Sequence, residues 1–138
     1  MSTRPQLSPS IVIPSPGGSP VNGNSMAANI TSAPTVIQKL SMLSYGLSWT
    51  GSSPVGTVSV QLSNDFSLDA EGRVLNAGTW NTALLNYNGT QVTTIPITGS
   101  TGSGLIDIVL TAAYAIRLIY TAGSGTGALT VTANGKVS

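Results

Sequence analysis

The chain has 138 residues, a length that fits one domain and excludes a large two-domain enzyme. Charged residues make up 7% of the chain, against about 25% in an ordinary soluble domain, so its surface consists mainly of small polar and apolar groups. The net charge of +1 is the balance of five basic and four acidic residues. The basic residues are scattered and form no run able to neutralise a row of phosphates, so nucleic acid is not an expected partner. Cysteine and histidine are absent, which excludes disulfides, Cys/His zinc sites and triads with an imidazole base.

Residues 1–35 are predicted to form an extended N-terminal arm. Six of the eight prolines lie there, and this spacing prevents helix formation and favours extended chain. Ile11, Val12 and Ile13 form a short cassette with high β-propensity, suited to adding a strand to the sheet edge of a partner. These three residues are therefore candidate interaction residues. The alternative is a disordered tail.

Residues 36–138 are predicted to form a single all-β domain. Apolar and polar residues alternate over 43–49 and 58–63, which is typical of half-buried strands. Asn88-Gly89 stands between two β-rich runs and predicts a hairpin that pairs about 82–87 with 90–97. No window shows a helical period, and the strand spacing indicates an antiparallel β-sandwich or jelly roll of about eight strands. The alternation predicts these core residues: Val58, Val60, Leu62, Ile116, Leu118, Leu129 and Val131.

Two glycine-rich segments, 99–104 and 123–127, are predicted to be turns between strands. Neither opens a helix nor carries the lysine of a phosphate-binding loop. The longest apolar region, 105–119, is interrupted by Asp107, Thr111 and Arg117 and falls short of the roughly 18 apolar residues of a membrane helix. We therefore expect no membrane partner. The N-terminal residues show no apolar segment of a cleavable signal, and none is expected.

The richest polar cluster, residues 64–72, contains three of the four carboxylates of the chain. Oxygen ligands this close together suit Ca²⁺, although their spacing is not that of an EF-hand. The alternative is a solvated turn in which Asn64 and Asp65 bond to their own backbone. Glycoside hydrolysis needs two carboxylates that face each other about 5 to 9 Å apart across a cleft, which this clustering disfavours. We expect no enzyme: no catalytic, cofactor-binding or metal-binding residue is predicted, with calcium binding by this loop left open.

Asp107 and Arg117 lie inside two apolar strands, where an unpaired charge is costly. If those strands are adjacent and antiparallel, the two side chains form a structural ion pair. The alternative is that Arg117 binds a carboxylate of a partner, which makes it the fourth candidate interaction residue.

Four segments of the chain carry a resemblance to a known family: Gly56-Thr57-Val58-Ser59-Val60-Gln61-Leu62-Ser63-Asn64-Asp65, Gly78-Thr79-Trp80, Ala115-Ile116-Arg117-Leu118-Ile119-Tyr120 and Ser124-Gly125-Thr126-Gly127. In these segments the chain resembles small β-sandwich structural proteins of tailed bacteriophages, and in style it is most similar to capsid decoration (cement) proteins. The resemblance covers about residues 55–133 and is one of pattern, without a chemical motif. It implies a virion component on the capsid surface that binds the major capsid protein in many copies, as a homotrimer.

The residues themselves support assembly as well, because a sparsely charged β-domain without reactive side chains offers mainly its surface. The alternative function is a tail- or fibre-associated module that binds a receptor or a carbohydrate. Such a module would stack sugars on exposed aromatic rings, and Trp49 or Trp80 would have to be exposed; core packing is the competing interpretation of these rings.

Overall fold

The computed structural model describes residues 10–12, 20–37, 42–87, 89–108 and 113–136. These residues are all-β, and every strand pairing among them is antiparallel. None of the described ranges holds a helix of the length and apolarity that crossing a membrane requires. Ile13 of the predicted cassette and Asn88 of the predicted turn lie outside the described residues.

Thirteen strands occur in the described part of the chain. In chain order they are β1 (Ser10–Val12), β2 (Val21–Ser25), β3 (Ile30–Thr31), β4 (Thr35–Val36), β5 (Met42–Ser63), β6 (Ser67–Leu68), β7 (Val74–Asn76), β8 (Asn81–Thr82), β9 (Leu85–Tyr87), β10 (Thr90–Val92), β11 (Ile95–Ile97), β12 (Thr101–Ile108) and β13 (Ala115–Lys136). Eleven of them form one sheet, and β6 and β7 form a separate two-stranded sheet.

The centre of the main sheet is a long ribbon in which β5 and β13, each 22 residues long, pair along their whole length. The prediction that 123–127 is a turn is wrong, because this segment belongs to β13 and contains two register shifts. Gly125 has a φ of 75°, and a Cβ there would clash with the backbone of Ser53. Glycine therefore serves a close approach between two bulged strands at this point rather than a chain reversal.

The other glycine-rich segment, residues 99–104, is also mostly strand. After a bend at Gly99-Ser100 the chain enters β12, so the predicted turn over 99–104 is wrong from Thr101 onwards. Gly102 lies directly under the indole of Trp49, where a Cβ would overlap the ring. The missing side chain at Gly102 thus lets the buried Trp49 lie flat against the neighbouring strand.

The irregular middle of the ribbon changes which side chains face inward. In β5 the buried apolar residues include Tyr45 and Leu47 before the irregular middle and Val58 and Val60 after it, a change from odd to even positions. A one-residue shift in a strand turns its side chains to the opposite face, so the bulges allow both halves of the ribbon to contribute to one core. Six predicted core residues are confirmed as fully buried, and Leu62 is partly buried: the six are Val58, Val60, Ile116, Leu118, Leu129 and Val131.

The predicted Asn-Gly hairpin is confirmed, but it is shorter than expected. Tyr87 pairs with Thr90 across the turn, and the ladder ends after three residues on each side. The chain then leaves the hairpin, and β11 pairs with the second half of β5 instead. Burial explains the departure, because Ile95 and Ile97 enter the main core there.

The description of residues 1–35 as an arm is wrong for the stretch that begins at residue 20. There β2, β3 and β4 pair in succession with β13. Val21, Met26 and Ile30 are buried in the same core as the long ribbon. The boundary predicted at residue 35 therefore does not separate two units, because Ile30 before it and Ile37 after it belong to one core.

Two buried phenols lack a hydrogen-bond partner, those of Tyr45 and Tyr120. We expect Tyr45→Phe to leave the free energy of unfolding at pH 7 unchanged or to raise it, because an unsatisfied buried hydroxyl costs about 1 to 3 kcal/mol.

Burial also raises the pKa of Tyr45. The unfolded phenol ionises above about pH 10 and the folded one does not, so stability is retained below that pH and falls above it. Urea unfolding from pH 7 to 11 should show a shallower fall in the variant; a loss above about 1 kcal/mol at pH 7 would contradict the argument.

Candidate functional site

Arg117 lies on the outward face of the ribbon near the start of β13. Its register partner on β5 is Gln61, and Arg117 Nε donates a 2.8 Å hydrogen bond to Gln61 Oε1. Its guanidinium carbon lies 4.3 Å from the centre of the Trp80 ring, and partial burial lowers the pKa of the guanidinium. Arg117 is therefore held in one place by a hydrogen bond and by an aromatic face.

The predicted ion pair between Asp107 and Arg117 is wrong. The strands that carry them are not adjacent, because β5 lies between β12 and β13 in the sheet. Asp107 pairs with Ser44 at one end of β5, whereas Arg117 pairs with Gln61 near the other end. Asp107 is exposed, so water stabilises its charge without a basic partner.

The stack of Arg117 on Trp80 predicts a measurable coupling between the two side chains. A double-mutant cycle with Arg117→Ala and Trp80→Ala should give about 0.5 to 1 kcal/mol in chemical unfolding, as expected for a partly exposed cation–π contact. Arg73 makes its ion pairs with Asp69 and Glu71, so a matched cycle of Arg73→Ala with Trp80→Ala should be additive. Additivity in the first cycle as well would show that the stack contributes nothing to stability.

Next to Trp80 an open groove of about 580 Å³ runs along the end of β5. It is lined by Leu62, Ser63, Asn64, Asp65, Thr79, Asn81 and Ala113. Asp65 Oδ1 accepts hydrogen bonds from the Thr79 backbone N–H at 2.6 Å and from Ser63 Oγ at 2.9 Å. The bond from Thr79 above all lowers the pKa of Asp65, so this edge of the groove carries a full negative charge near neutral pH. A groove of this composition presents hydrogen-bonding groups to a polar ligand.

The carboxylates of the acidic cluster, residues 64–72, stabilise two different parts of the β6–β7 hairpin. Asp65 anchors the base of the β6–β7 hairpin, and Asp69 organises its tip, where Arg73 Nε donates to Asp69 Oδ2 at 2.9 Å and Arg73 Nη2 donates to Glu71 Oε1 at 3.0 Å. The backbone N–H groups of Glu71 and Arg73 also donate to Asp69 Oδ1, both at 2.9 Å. In the part of the chain that the structure describes, no three carboxylates come together as a metal site would need.

The predicted interaction residues lie at opposite ends of β13. Ile11 and Val12 belong to β1, which pairs with Asn134–Lys136 of the same chain. Arg117 lies at the other end of the strand, so the structure does not bring the predicted residues into one site. The sequence interpretation missed Gln61 and Trp80 as the neighbours of Arg117, and only the pairing of β5 with β13 and β8 brings these residues together.

Comparison with known proteins gives a likeness of fold. The crystal structure of the SPBc2 prophage-derived protein YomS superposes with a TM-score of 0.65, covering 98% of this chain and 99% of that one at 7% sequence identity. No protein-family model and no curated protein matches the chain. The all-β fold is thus shared with a prophage-derived protein over nearly the whole of both chains.

Proposed function

We propose that the protein is a non-enzymatic virion structural protein of a tailed bacteriophage, a capsid decoration protein that binds the lattice of the major capsid protein. The observation that carries the proposal is the likeness of fold to a prophage-derived protein across 98% of the chain. In this proposal the protein is placed on the capsid surface as a homo-oligomer, a trimer, and works without a cofactor.

The ribbon supports a sandwich or jelly-roll arrangement for this protein. The two halves of β5 and β13 bury residues that belong to a single core cluster, and the bulged middle of the ribbon lies between them. In the proposed arrangement the ribbon folds at that point, so that its two inward faces come together. The decoration proteins that the sequence resembles are small β-sandwiches.

Two features suit the proposed contact with a protein lattice. The outward face of β5 and β12 carries hydroxyl side chains at paired positions, including Thr50 with Thr101 and Ser48 with Ser103. Burying such groups against a partner avoids the desolvation of charges. In addition β1 lies at one end of the main sheet and, among the described strands, pairs with β13 alone, which leaves its second edge to a strand of the partner in this proposal. Ile11, Val12, Ile13 and Arg117 remain the proposed interaction residues.

The test uses particles of the phage that encodes the chain. Quantitative mass spectrometry and cryo-electron microscopy should find it on the outer capsid surface, in copy numbers that are a fixed fraction of the major capsid protein. Protein that lacks residues 1–12 should bind particles at least about tenfold more weakly than the full chain, since an edge strand supplies both backbone bonds and apolar contact. Presence only in the tail, or absence from particles, would overturn the proposal.

The second candidate function is a receptor- or carbohydrate-binding module, which the groove beside Asp65 favours. Trp49 is buried, and the half-buried Trp80 has Arg117 over its ring, so neither offers a free stacking platform of the kind that such a module would use. A glycan array with the full chain, repeated with Asp65→Ala, tests this candidate. Binding that is lost in the variant, together with absence from capsids, would favour it over decoration.

A further inference from the structure

The dipeptide Asn-Gly occurs three times in the sequence, and two of these dipeptides lie wholly within the described residues: Asn22-Gly23 and Asn134-Gly135. In such a dipeptide the backbone nitrogen of the glycine can attack the side-chain carbonyl carbon of the asparagine, because glycine has no Cβ to obstruct the approach. The same reactive pair of groups therefore stands in two different parts of the main sheet. The surrounding fold determines which pair can react.

Asn22-Gly23 lies at a bulge of β2. Asn22 pairs with Thr130 and Asn24 pairs with Leu129, so Gly23 is an extra residue without a partner on β13. Gly23 has a φ of 68°, in the left-handed region that a bulge glycine adopts. A Cβ at Gly23 would meet no atom beyond its chain neighbours within 4 Å, and Asn22 and Gly23 are both exposed. Both reacting groups are therefore accessible to water.

The nitrogen of Gly23 is also less protected than a nitrogen inside a strand ladder. Gly23 N–H donates to the side-chain hydroxyl of Thr130, with 3.1 Å between Gly23 N and Thr130 Oγ1. Water can replace an exposed hydroxyl as the acceptor, so this bond opens without separating two strands. In the described part of the chain β2 pairs with β13 alone, and no further strand covers this edge.

Asn134-Gly135 lies between two strands instead. Both of its residues pair with β1 on one side and with β5 on the other. In an antiparallel sheet the backbone N–H of a central strand points at one of its two neighbours, so Gly135 N–H faces a paired strand whichever way it points. Attack by this nitrogen requires the ladder to open first, and openings inside a sheet are rarer than openings at an edge.

We propose that Asn22 is a site of spontaneous deamidation, and that the sheet protects Asn134 from the same reaction. The Gly23 nitrogen forms a bond with the Asn22 side-chain carbonyl carbon, while the bond from that carbon to the amide nitrogen breaks. The proton of Gly23 N–H leaves with the amide group as ammonia. Water then opens the cyclic imide at one of its two carbonyl carbons and gives aspartate or isoaspartate. The net reaction replaces an amide by a carboxylic acid at the expense of water, without an oxidant or a reductant.

The two products affect the domain differently. Aspartate at position 22 keeps the backbone intact and adds one negative charge at an exposed site, which cancels the net charge of +1. Isoaspartate routes the backbone through the former side chain and lengthens β2 by a methylene group. Val21 before this point and Met26 after it are core residues, and Met26 N–H donates to Gly127 O at 2.8 Å. A longer backbone between two fixed core residues destabilises the domain, so isoaspartate should lower its stability and aspartate should not.

Peptide mass spectrometry of the aged full chain tests the proposal, because Lys39 and Arg117 place the two dipeptides in different tryptic peptides. In folded protein held at mildly alkaline pH, Asn22 should convert at least about tenfold faster than Asn134, since an edge opens at a lower free energy than the inside of a sheet. In a denaturant both should convert at similar rates. This comparison separates the effect of the fold from that of the neighbouring sequence.

Two controls identify the reacting groups. Asn24 is exposed on the same strand but is followed by Ser25, whose Cβ obstructs the attack, and it should stay unconverted. Asn22→Gln would have to form a larger ring and should not convert at this position. The aged variant should therefore keep the melting temperature that the aged natural chain loses as isoaspartate accumulates.

Equal rates at Asn22 and Asn134 in the folded protein would overturn the proposal, as would an Asn22 that stays intact over the time in which the denatured chain converts. Circular dichroism before and after incubation verifies that the protein under test is folded. The measurement uses the purified chain without phage particles, so its outcome is independent of the capsid-binding test and of the proposed function.

Discussion

Removal of residues 1–31 is expected to abolish the cooperative unfolding transition of the domain, whereas removal of residues 1–19 should leave a folded protein. The longer deletion takes away β2 and β3 and three core side chains, those of Val21, Met26 and Ile30. Each buried apolar side chain contributes about 1.5 to 3 kcal/mol. Their sum is comparable with the whole stability of a small domain, about 5 to 15 kcal/mol.

Thermal unfolding followed by circular dichroism distinguishes the two deletions. Met26→Ala in the full chain is a finer control, and it should lower the free energy of unfolding by about 2 to 5 kcal/mol because Met26 is fully buried. A protein that lacks residues 1–31 and melts at the temperature of the full chain would show that the N-terminal segment is not part of the core.

The sequence alone leads to the opposite expectation for this deletion, and the reason is physical. From residue 20 the segment forms strands of only two to five residues, too short to display an alternating pattern. Their partner on β13 lies about a hundred residues away, as when Ser32 N–H donates to Leu118 O and Leu118 N–H donates to Ser32 Oγ. Local periodicity carries no information about such a distant partner.

The long central strands show which part of a fold can be predicted from a sequence. The alternation around Tyr45 and Val60 identified the buried face correctly, because burial on one face requires a period of two. The glycines of 123–127 predict a turn although they lie in a bulged strand, because turns and bulges use glycine for the same backbone freedom. The alternation of apolar and polar residues thus distinguishes the buried face of a strand from the exposed one. A run of glycines does not distinguish a chain reversal from a bulge in a continuous strand.

The candidate sites were harder to predict than the core. Arg117 was identified as a costly charge in an apolar strand, yet its neighbours Gln61 and Trp80 come from strands that only the sheet topology brings together. The exposure of Leu75 gave no signal in the sequence, since a Val-Leu pair in a short strand resembles any half-buried strand. All three residues of β7 are exposed, because the hairpin belongs to a sheet separate from the main one.

Leu118→Ala is expected to cause the largest loss of stability of any single substitution considered for the ribbon. Leu118 is completely buried and lies opposite Val60, also completely buried, in the register of β5 and β13. Truncation of a buried leucine costs about 2 to 5 kcal/mol, because transfer energy is lost and a cavity remains. Leu105→Ala, at an exposed position, should change the free energy of unfolding by no more than about 0.5 kcal/mol.

The pairing of Leu118 with Val60 adds a second, independent measurement. If both side chains fill one space at the centre of the core, Leu118→Ala and Val60→Ala together should deviate from additivity by at least about 0.5 kcal/mol in urea unfolding. A loss below about 0.5 kcal/mol for Leu118→Ala alone would place this side chain on the outward face. That result would also reverse the inward and outward assignment of every residue on the first half of β13, Arg117 included, because neighbouring residues of a strand face opposite sides.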